Sequence, residues 1–383
     1  MKVGVFHWAF DFIGGGEKVA FDIAEVFGRK EVYTLFSSAT DPEGRGIKAV
    51  DISYLLPRWG KLLGKFTKRK RGFEYWLWEM IDVRELDNFD VIITSGVTPR
   101  AIIAPEDVVH VNYCHSVPRW LWDLWHFRWK NTKKSLFIFW SAELLRALDV
   151  VADTRVDYYV VNSELIQRRL WHYLKRDSVI IYPSIRTKKY YFKEFGDFIL
   201  HIGRIDKEKQ VFPVIKACEK LGTKLVLIGN KGNDRETYEY LQKNNGRVID
   251  YRGVVSEEEK RELLATCKAV VYNPISEDFG IVPTEAFASG KPVIVNNTGF
   301  PPVLIRKGDF VKKDGAIEVR KTGMITNGTA EMIATAIKLL DSFEWNNKEL
   351  IAFARSFDFE VFKQKMQDYV TDVQKQFSEM QHT

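Results

Sequence analysis

The stretch EDFGIVPTEA at residues 277–286 decides the fold class of this chain of 383 residues. It follows an apolar run at 269–273 that predicts a buried strand, and Pro283 suits the first turn of a helix, where its missing N–H is harmless. Gly290 stands where a glycine ends such a helix, and Pro292 comes shortly after it. A strand that turns directly into a helix is the repeating unit of a parallel sheet covered by helices.

The same alternation of apolar runs and amphipathic stretches extends along the chain in both directions. In the first half, strands are predicted at 2–6, 31–36, 89–95, 107–114, 156–162 and 178–182, and helices at 16–27, 136–149 and 163–174. In the second half, strands are predicted at 197–202, 224–228, 247–251, 269–273 and 292–296, and helices at 209–221, 235–244, 256–267, 281–289 and 329–342. Apolar strands that alternate with helices predict an α/β fold with parallel sheets covered on both faces.

A chain of this length is expected to form two or three domains. The weakest point between its halves lies at 183–196, which begins with Pro183 and ends with Gly196, and we interpret it as a linker. The sequence therefore predicts one doubly wound domain at 1–185 and a second at 186–356. Such domains bind ligands at the carboxyl ends of their strands, so we expect the site in a cleft where the two domains face each other.

The composition excludes several classes of protein. Hydrophobic residues make up 45% and charged residues 28%, which is typical of a folded chain with large cores. Three distant cysteines (Cys114, Cys218 and Cys267) offer no disulfide framework and indicate a reducing compartment. The apolar N-terminus is interpreted as a buried strand rather than a signal peptide, and the sequence lacks a run of about 18 apolar residues that could span a membrane. It also lacks metal-ligand spacing, a Ser-His-Asp or Cys-His order and a nucleic-acid-binding motif.

Two carboxylates, Glu277 and Glu285, flank the strand–helix corner. Carboxylates at this position can accept hydrogen bonds from the hydroxyls of a ribose or a sugar. Gly280 lets the backbone approach a ligand closely, and the N–H groups of residues 280–282 at the helix start suit an anion. The alternative is a solvated loop acid and a first-turn glutamate that interacts favourably with the helix dipole.

Further candidate side chains follow other predicted strands. Arg204 and Lys209 come after the strand at 197–202, and two fixed cations can hold a diphosphate without a metal; ordinary surface charge is the alternative. The glycine-rich turn at 14–16 can expose N–H groups to a phosphate or a sugar oxygen, or can be a plain turn. His115 ends another strand, where a histidine can be structural or catalytic.

Together these residues resemble the retaining glycosyltransferases of family 4, which have the GT-B fold. The turn at 14–16 and His115 fit the resemblance, and the segment YCHSVPR at 113–119 looks like the subset that transfers mannose from GDP-mannose onto lipid-linked glycans. Most of the second half is covered, through Gly203-Arg204 with Lys209, Gly253 with the capped helix that follows, residues 277–285, and Gly290-Lys291-Pro292-Val293.

The resemblance assigns a role to each matched residue. Arg204 and Lys209 would hold the diphosphate of the donor, and Glu285 would bind the ribose hydroxyls. Glu277 and His115 would contact the transferred sugar, and these two are the catalytic candidates. The other donor-side candidates are Gly15, Gly16, Val255, Glu257, Lys260, Phe279, Gly280, Ile281 and Val282.

The resemblance also implies the course of the reaction. The transfer would retain the anomeric configuration, require no metal and no cofactor, and use a nucleotide-diphospho-sugar, GDP-mannose, as co-substrate. The helix at about 357–383 would cross back onto the N-terminal domain. One departure lies at Gly299-Phe300-Pro301-Pro302-Val303, where the family often has Gly-Gly-x-x-Glu near the donor sugar, so this loop leaves the identity of the sugar open.

Positive charge and tryptophan are concentrated in the first half of the chain. The net charge is +6, whereas residues 54–73 alone carry seven basic residues and no acid. Apolar residues interleave with them at partly helical spacing, which suits an anionic membrane surface; core packing, a solvated loop and nucleic-acid binding are the alternatives. The membrane-surface candidates are Arg58, Trp59, Lys61, Lys65, Lys68, Arg69, Lys70 and Arg71.

The sequence therefore predicts a glycosyltransferase that lies at the cytoplasmic face of a membrane and transfers mannose to a glycan or a lipid-linked glycan. The alternative enzyme is a UDP-sugar-dependent transferase with a soluble acceptor. A non-catalytic module that binds a sugar nucleotide or a membrane is the alternative outside enzymes, and the charges retained at 204, 209, 277 and 285 speak against it. No nucleic-acid partner is expected.

Overall fold

The computed structural model describes residues 1–11, 13–67, 74–126 and 136–381, without the side chains of residues 65–67, 136 and 137. The chain forms two compact units, Met1–Ser184 with Glu360–Thr383, and Ile185–Phe359. The division falls one residue before the predicted boundary. The reason is that the Ile185 N–H donates to Phe357 O (2.9 Å) and Ile185 O accepts from the Phe359 N–H (3.0 Å), so this backbone belongs to the second unit.

In the first unit, the described residues form an eight-stranded sheet in the order β3-β4-β2-β1-β5-β6-β7-β8. Neighbouring strands are parallel except for the antiparallel pair of β3 and β4. The parallel strands therefore end at one edge of the sheet. The strands are β1 (Val3–His7), β2 (Glu31–Thr34), β3 (Ala39–Thr40), β4 (Lys48–Asp51), β5 (Val91–Ser95), β6 (Val109–Cys114), β7 (Tyr158–Val161) and β8 (Val179–Ile180), with helices α1 (Gly15–Val26), α2 (Arg58–Thr67), α3 (Glu74–Glu79), α4 (Leu136–Asp153) and α5 (Glu164–Leu174).

The second unit also contains an eight-stranded sheet, in the order β11-β10-β9-β12-β13-β16-β15-β14. Its strands are parallel except β15, which is antiparallel to both neighbours. The strands are β9 (Ile199–Ile202), β10 (Leu225–Ile228), β11 (Ile249–Gly253), β12 (Ala269–Tyr272), β13 (Val293–Asn296), β14 (Phe310–Asp314), β15 (Ile317–Arg320) and β16 (Gly323–Thr326). The helices are α6 (Val211–Leu221), α7 (Arg235–Asn244), α8 (Glu257–Thr266), α9 (Ile281–Ala288), α10 (Pro301–Arg306), α11 (Ala330–Leu339) and α12 (Asn347–Ala354).

The predicted α/β architecture with parallel sheets is confirmed, and so are two predicted helix ends. Ser256 Oγ accepts the Glu259 N–H (3.1 Å) at the start of α8, and Gly290 adopts φ +67° just after α9. Nine elements of the described residues were not predicted from the sequence: α2, α3, α10, α12, β3, β4, β14, β15 and β16. All five residues of β14 are exposed, so no apolar alternation marks this edge strand. Asp314-Gly315, with Gly315 at φ +56°, is the turn signal that indicates this hairpin.

The last helix, α13 (Phe359–Gln381), packs against the first unit from Glu360 onward, as predicted. Gln367 Nε2 donates to Val26 O (3.0 Å), and the Tyr369 hydroxyl donates to Tyr159 O (3.3 Å). One stripe of the helix is buried at helical spacing, and this stripe attaches the C-terminus to the first sheet. Its members are Phe362, Met366, Val370 and Val373.

A buried ion pair between Arg100 and Asp149 ties helix α4 to the segment after β5. The Arg100 guanidinium is 1% exposed and donates to Asp149, which is fully buried. Asp149 also accepts hydrogen bonds from the Tyr75 hydroxyl (2.7 Å) and from Trp122 Nε1 (2.8 Å). A charge so deeply buried is tolerated only when it is paired and hydrogen-bonded, so these four side chains form one unit of the core.

We predict that Asp149→Ala lowers the free energy of unfolding of the first unit by about 3–5 kcal/mol, because it leaves the Arg100 charge buried without its main partner. Ten of the 11 tryptophans precede residue 185, so guanidinium unfolding followed by tryptophan fluorescence reports on this unit. The matched control is Asp107→Ala, whose ion pair with Arg84 is mostly exposed, and its loss is expected to be below about 1 kcal/mol. Equal losses in the two variants would contradict the prediction.

Candidate functional site

Residues 277–286 follow β12 and form the corner that leads into α9, whose first turns they include. Gly280 lies at the corner with φ +86°, a left-handed conformation that favours glycine. A Cβ atom placed on it would approach Tyr272 Cε1 to 2.9 Å and Pro301 Cγ to 3.3 Å. The backbone N–H groups of Ile281 and Val282 lie in the first turn of α9, where an anion is stabilised.

Glu277 and Lys209 meet at this corner although they are far apart in sequence. Lys209 Nζ donates to Glu277 Oε2 at 2.6 Å, and both side chains are about one-fifth to one-quarter exposed. The loop at 299–303, which departs from the family pattern, packs against the Glu277 backbone. The Phe300 N–H donates to Glu277 O (2.8 Å), and a Cβ atom on Gly299 would lie 2.6 Å from the same oxygen. The Glu277 backbone is therefore fixed by this loop.

The aromatic side chains of Phe279, Phe300 and Tyr272 lie at the same corner. Phe279 is buried and stacks on Phe300, with ring centroids 5.5 Å apart and an interplanar angle of 22°. Burial, with the Glu277 carboxylate second, raises the pKa of Tyr272 well above its ordinary value, so its phenol stays neutral.

Arg204 lies in the loop after β9, on the same segment as Lys209. Its guanidinium is half exposed and pairs with Asp206 Oδ2 at 3.2 Å. Asp206 itself accepts the Asn233 N–H (2.7 Å), which fixes the carboxylate against the loop after β10. Asp206 was not predicted as a site residue, because a carboxylate two residues after Arg204 is only a weak indication of an ion pair in the sequence.

Glu285, on α9, is 6% exposed and accepts two hydrogen bonds on one oxygen. Lys260 Nζ donates to Glu285 Oε1 at 2.7 Å, and the Tyr190 hydroxyl donates to the same atom at 2.8 Å. Lys260 also pairs with Glu257 Oε2 at 2.8 Å. Burial alone would lower the pKa of Lys260, but the carboxylates of Glu285 and Glu257 outweigh it and raise the pKa, so Lys260 stays cationic.

The structure thus brings together three residues that the sequence assigned to the donor, Glu257, Lys260 and Glu285. Val255 lies half-buried immediately before Ser256, the N-cap of α8. Tyr190 was not predicted, because it belongs to the segment that the sequence marks only as a linker.

In the first unit, α1 begins at Gly15, within the glycine-rich turn. The Glu17 side chain turns back, and its Oε2 accepts the Gly14 N–H at 2.9 Å. A glutamate three residues after the N-cap indicates such a hydrogen bond in the sequence, but Glu17 was not predicted as a functional residue. A Cβ atom placed on Gly16 would lie 3.9 Å from the His115 ring, so the turn and His115 are neighbours.

His115 directly follows β6 and is half-buried. Its Nε2 lies 2.8 Å from Ser95 Oγ, and Ser95 Oγ lies 2.9 Å from His7 Nδ1. Burial lowers the pKa of His115 to about 3. A neutral imidazole at physiological pH acts as a hydrogen-bonding group rather than as a cation.

The membrane-surface candidates are described only in part. Arg58 and Trp59 on α2 are exposed, Trp59 to 60%, and Lys61 is half-buried. The side chain of Lys65, and residues Lys68, Arg69, Lys70 and Arg71 as a whole, lie outside the described residues. Trp78, by contrast, belongs to the core. Across the described ranges, we find no helix long and apolar enough to cross a membrane, and no group of three or more His, Cys, Asp or Glu residues able to hold a metal ion.

Comparison with known proteins relates this site to a family. Residues 185–349 match the family model described as "Glycosyl transferases group 1". Two solved structures superpose on nearly the whole chain: sucrose-phosphate synthase from Thermosynechococcus elongatus (TM-score 0.68, 16% identity, covering 97% of this chain and 99% of that one) and Anabaena Alr3699/HepE in complex with UDP-glucose (TM-score 0.69, 17% identity, 97% and 100%). The chain has the GT-B fold and resembles the glycosyltransferases of family 4.

The curated relatives of this GT-B chain match shorter segments. An uncharacterized glycosyltransferase, MJ1178, of Methanocaldococcus jannaschii is 28% identical over 39% of this chain and 42% of its own length. The alpha-1,3/1,6-mannosyltransferase ALG2 of Saccharomyces cerevisiae is 28% identical over 47% of this chain and 46% of its own length. The chain therefore spans about half the length of these curated relatives.

We predict that Gly280→Ala destabilises the second unit more than Gly222→Ala does. Gly222 has φ +64° with open space around it, so alanine there costs only the left-handed backbone strain, about 1–2 kcal/mol. At Gly280 the contact with Tyr272 adds about 1–3 kcal/mol of overpacking. Chemical unfolding followed by circular dichroism measures both variants, and equal losses would show that the corner tolerates a side chain.

Proposed function

We propose that this chain is a metal-independent, retaining glycosyltransferase that transfers mannose from GDP-mannose to a glycan or lipid-linked glycan at a membrane surface. The observation that carries the proposal is the single strand–helix corner that unites Lys209, Glu277, Gly280 and Glu285. The side chains of Lys209, Glu277 and Glu285, and the backbone that follows Gly280, offer the chemistry that the parts of a nucleotide-diphospho-sugar require.

The donor diphosphate has two kinds of partner at this corner. Arg204 and Lys209 supply fixed positive charge after β9, and both are partly exposed, so an anion can reach them. The first turn of α9 supplies backbone N–H groups. Cations and N–H groups that are already in place stabilise the charge that develops on a departing diphosphate.

The ribose of the donor has a partner in Glu285. An ionised carboxylate can accept about four hydrogen bonds. Lys260 and Tyr190 both donate to Oε1, which leaves acceptor capacity on the carboxylate for two hydroxyls. The buried Lys260 charge also holds the carboxylate in one orientation before the nucleotide binds.

The transferred sugar is assigned to Glu277 and His115. Glu277 is an acceptor for sugar hydroxyls, and the Lys209 ion pair balances its charge. His115 is neutral because of its lowered pKa, so it interacts with the sugar through hydrogen bonds. No nucleophile is assigned to either residue.

The choice of mannose rests on the local YCHS pattern at 113–116 and on the similarity to the ALG2 mannosyltransferases. A UDP-sugar donor with a soluble acceptor is the second candidate, since a solved GT-B neighbour carries UDP-glucose. A non-catalytic sugar-nucleotide-binding module is the third. For the first candidate, the GDP-mannose-dependent transferase, we propose a location at the cytoplasmic face of a membrane.

The function is tested by offering a panel of nucleotide-sugars to the purified chain and measuring donor affinity by calorimetry and sugar transfer by mass spectrometry. GDP-mannose is expected to bind and to turn over. Arg204→Ala and Lys209→Ala are each expected to weaken binding of the nucleotide diphosphate by about tenfold or more, since a charge-assisted hydrogen bond contributes about 1.5–3 kcal/mol. His115→Ala and Glu277→Ala are expected to abolish transfer while the circular dichroism spectrum is unchanged.

The matched control for the two cations is Lys224→Ala, a lysine in the same unit that lies at the opposite, amino-terminal end of β10. The affinity of the Lys224→Ala variant for the nucleotide diphosphate is expected to equal that of the wild type. Preference for a UDP-sugar would favour the second candidate, and binding without any transfer would favour the non-catalytic module. Unchanged affinity in both cation variants would refute the diphosphate assignment.

Membrane contact is proposed for the face of the first unit that carries α2 and α4. Trp59 and Leu62 on α2 are 60% and 58% exposed, and Trp140, Leu144 and Val151 on α4 are 62%, 52% and 49% exposed. Helix α3 packs against both helices. Exposed apolar residues beside a basic segment suit the headgroup region of an anionic bilayer.

We predict that the chain co-sediments with anionic vesicles and that this binding fades as salt rises. Trp59→Ala and Trp140→Ala are each expected to reduce the vesicle affinity by about tenfold, because burying a large aromatic side chain contributes about 1.5–3 kcal/mol. Trp171→Ala on α5 is the matched control, since Trp171 is 55% exposed on another helix. Equal binding to neutral vesicles would contradict the electrostatic part of the prediction.

A further inference from the structure

Four polar side chains meet at the edge of the first sheet where β1, β5 and β6 end. His7 is the last residue of β1, Ser95 is the last residue of β5, and the two are paired in the parallel register. His115 directly follows β6, and Glu17 lies in the first turn of α1. His7 and Ser95 are fully buried, and Glu17 is 5% exposed. The register of the sheet, rather than closeness in sequence, brings these groups together.

Ser95 links the two histidines. Its Oγ lies 2.9 Å from His7 Nδ1 and 2.8 Å from His115 Nε2. A serine hydroxyl carries one proton, so Ser95 donates to one histidine and accepts from the other. The tautomer of His115 is therefore tied to the tautomer of His7.

Glu17 determines which histidine accepts the Ser95 proton. Its Oε2 accepts the Gly14 N–H, and its Oε1 faces His7 Nε2 at 3.7 Å. Burial by itself would raise the pKa of Glu17, but the contacts with His7 and with backbone N–H groups outweigh it and lower the pKa, so the carboxyl is an anion at neutral pH. A carboxylate only accepts, so the facing Nε2 of His7 is more stable with a proton than with a lone pair.

Glu17 Oε1 lies 3.7 Å from His7 Nε2, beyond hydrogen-bond distance, so the carboxylate acts on His7 through its charge. A neutral imidazole with its proton on Nε2 has an acceptor at Nδ1. Ser95 then donates to His7 Nδ1 and accepts from His115, which places the proton of His115 on Nε2.

We propose that His7 is neutral with its proton on Nε2, and that Glu17, His7 and Ser95 are positioning residues that hold His115 in the tautomer protonated at Nε2, so that its Nδ1 accepts a hydrogen bond from a hydroxyl of the bound sugar. The sugar rests on the proposed function, whereas the tautomer is a property of the chain itself. The glycine-rich turn lies beside the ring, since a Cβ atom on Gly16 would make ordinary van der Waals contact with His115 at 3.9 Å.

The experiment is histidine-side-chain ¹⁵N NMR on the full chain without substrate. The chain has seven histidines, and His115→Asn assigns the His115 signals by their loss. In the wild type, we expect a protonated Nε2 and an unprotonated Nδ1 on His115. In Glu17→Gln, the amide oxygen still accepts the Gly14 N–H, and the amide NH₂ donates to His7 Nε2. The hydrogen bonds from His7 through Ser95 to His115 then reverse their direction, and His115 becomes protonated at Nδ1.

Ser95→Ala provides a second variant that does not touch the glycine-rich turn. It interrupts the link between the histidines, so both tautomers of His115 are expected to be populated. Glu106→Gln, an exposed residue in the same unit, is the control and is expected to keep the wild-type spectrum. A wild-type His115 protonated at Nδ1, or a Glu17→Gln spectrum identical to the wild type, would overturn the proposal.

Transfer kinetics supply the readout that belongs to the proposed function. Glu17→Gln is expected to lower kcat/KM by about tenfold, because one hydrogen bond to the sugar is lost, while nucleotide diphosphate affinity is unchanged. A tautomer reversal without any effect on transfer would remove the sugar hydrogen bond from the proposal. A chain that transfers no sugar at all would refute the proposed function, and the spectra alone would then decide the tautomer.

Discussion

The parallel register of the two sheets is the constraint on which the candidate site depends. Parallel strands end at one edge, so the residue that follows each strand lies beside the residue that follows its neighbour. Lys209 and Glu277 come together in this way after β9 and β12, and His7 and Ser95 do so as the last residues of β1 and β5. Helices joined to these strand ends add backbone N–H groups at the same edge. Each unit thus concentrates its polar chemistry where its apolar strands stop.

Burial explains why these polar groups are held so firmly. Glu285, Lys260, Asp149 and Arg100 are all nearly inaccessible, and a buried charge is stable only with partners. Lys260 and Tyr190 hold Glu285 in the second unit, and Tyr75, Trp122 and Arg100 hold Asp149 in the first. Networks of this kind fix side-chain orientation before a ligand arrives, which favours a pre-organised site.

The fold was predictable from sequence where strands are buried on both faces. Runs such as Val91–Ser95 and Ala269–Tyr272 are largely apolar and buried throughout, and turn glycines and caps mark the neighbouring helices. The prediction failed where burial is low. Strand β14 is exposed along its whole length, and only Asp314-Gly315 indicates its hairpin. Helix α10 was missed because it starts with two prolines in a segment interpreted as a loop.

The sequence by itself determined the fold class, the corner at 277–286 and the types of residue that stand at strand ends, because these follow from local periodicity and from the special geometry of glycine and proline. Only the tertiary structure decided which of these residues touch. It pairs Glu285 with Tyr190, closes the Glu17–His7–Ser95–His115 array, and separates the buried Trp78 from the exposed Trp59. Such contacts depend on packing between segments that are distant in the chain, and no local pattern records them.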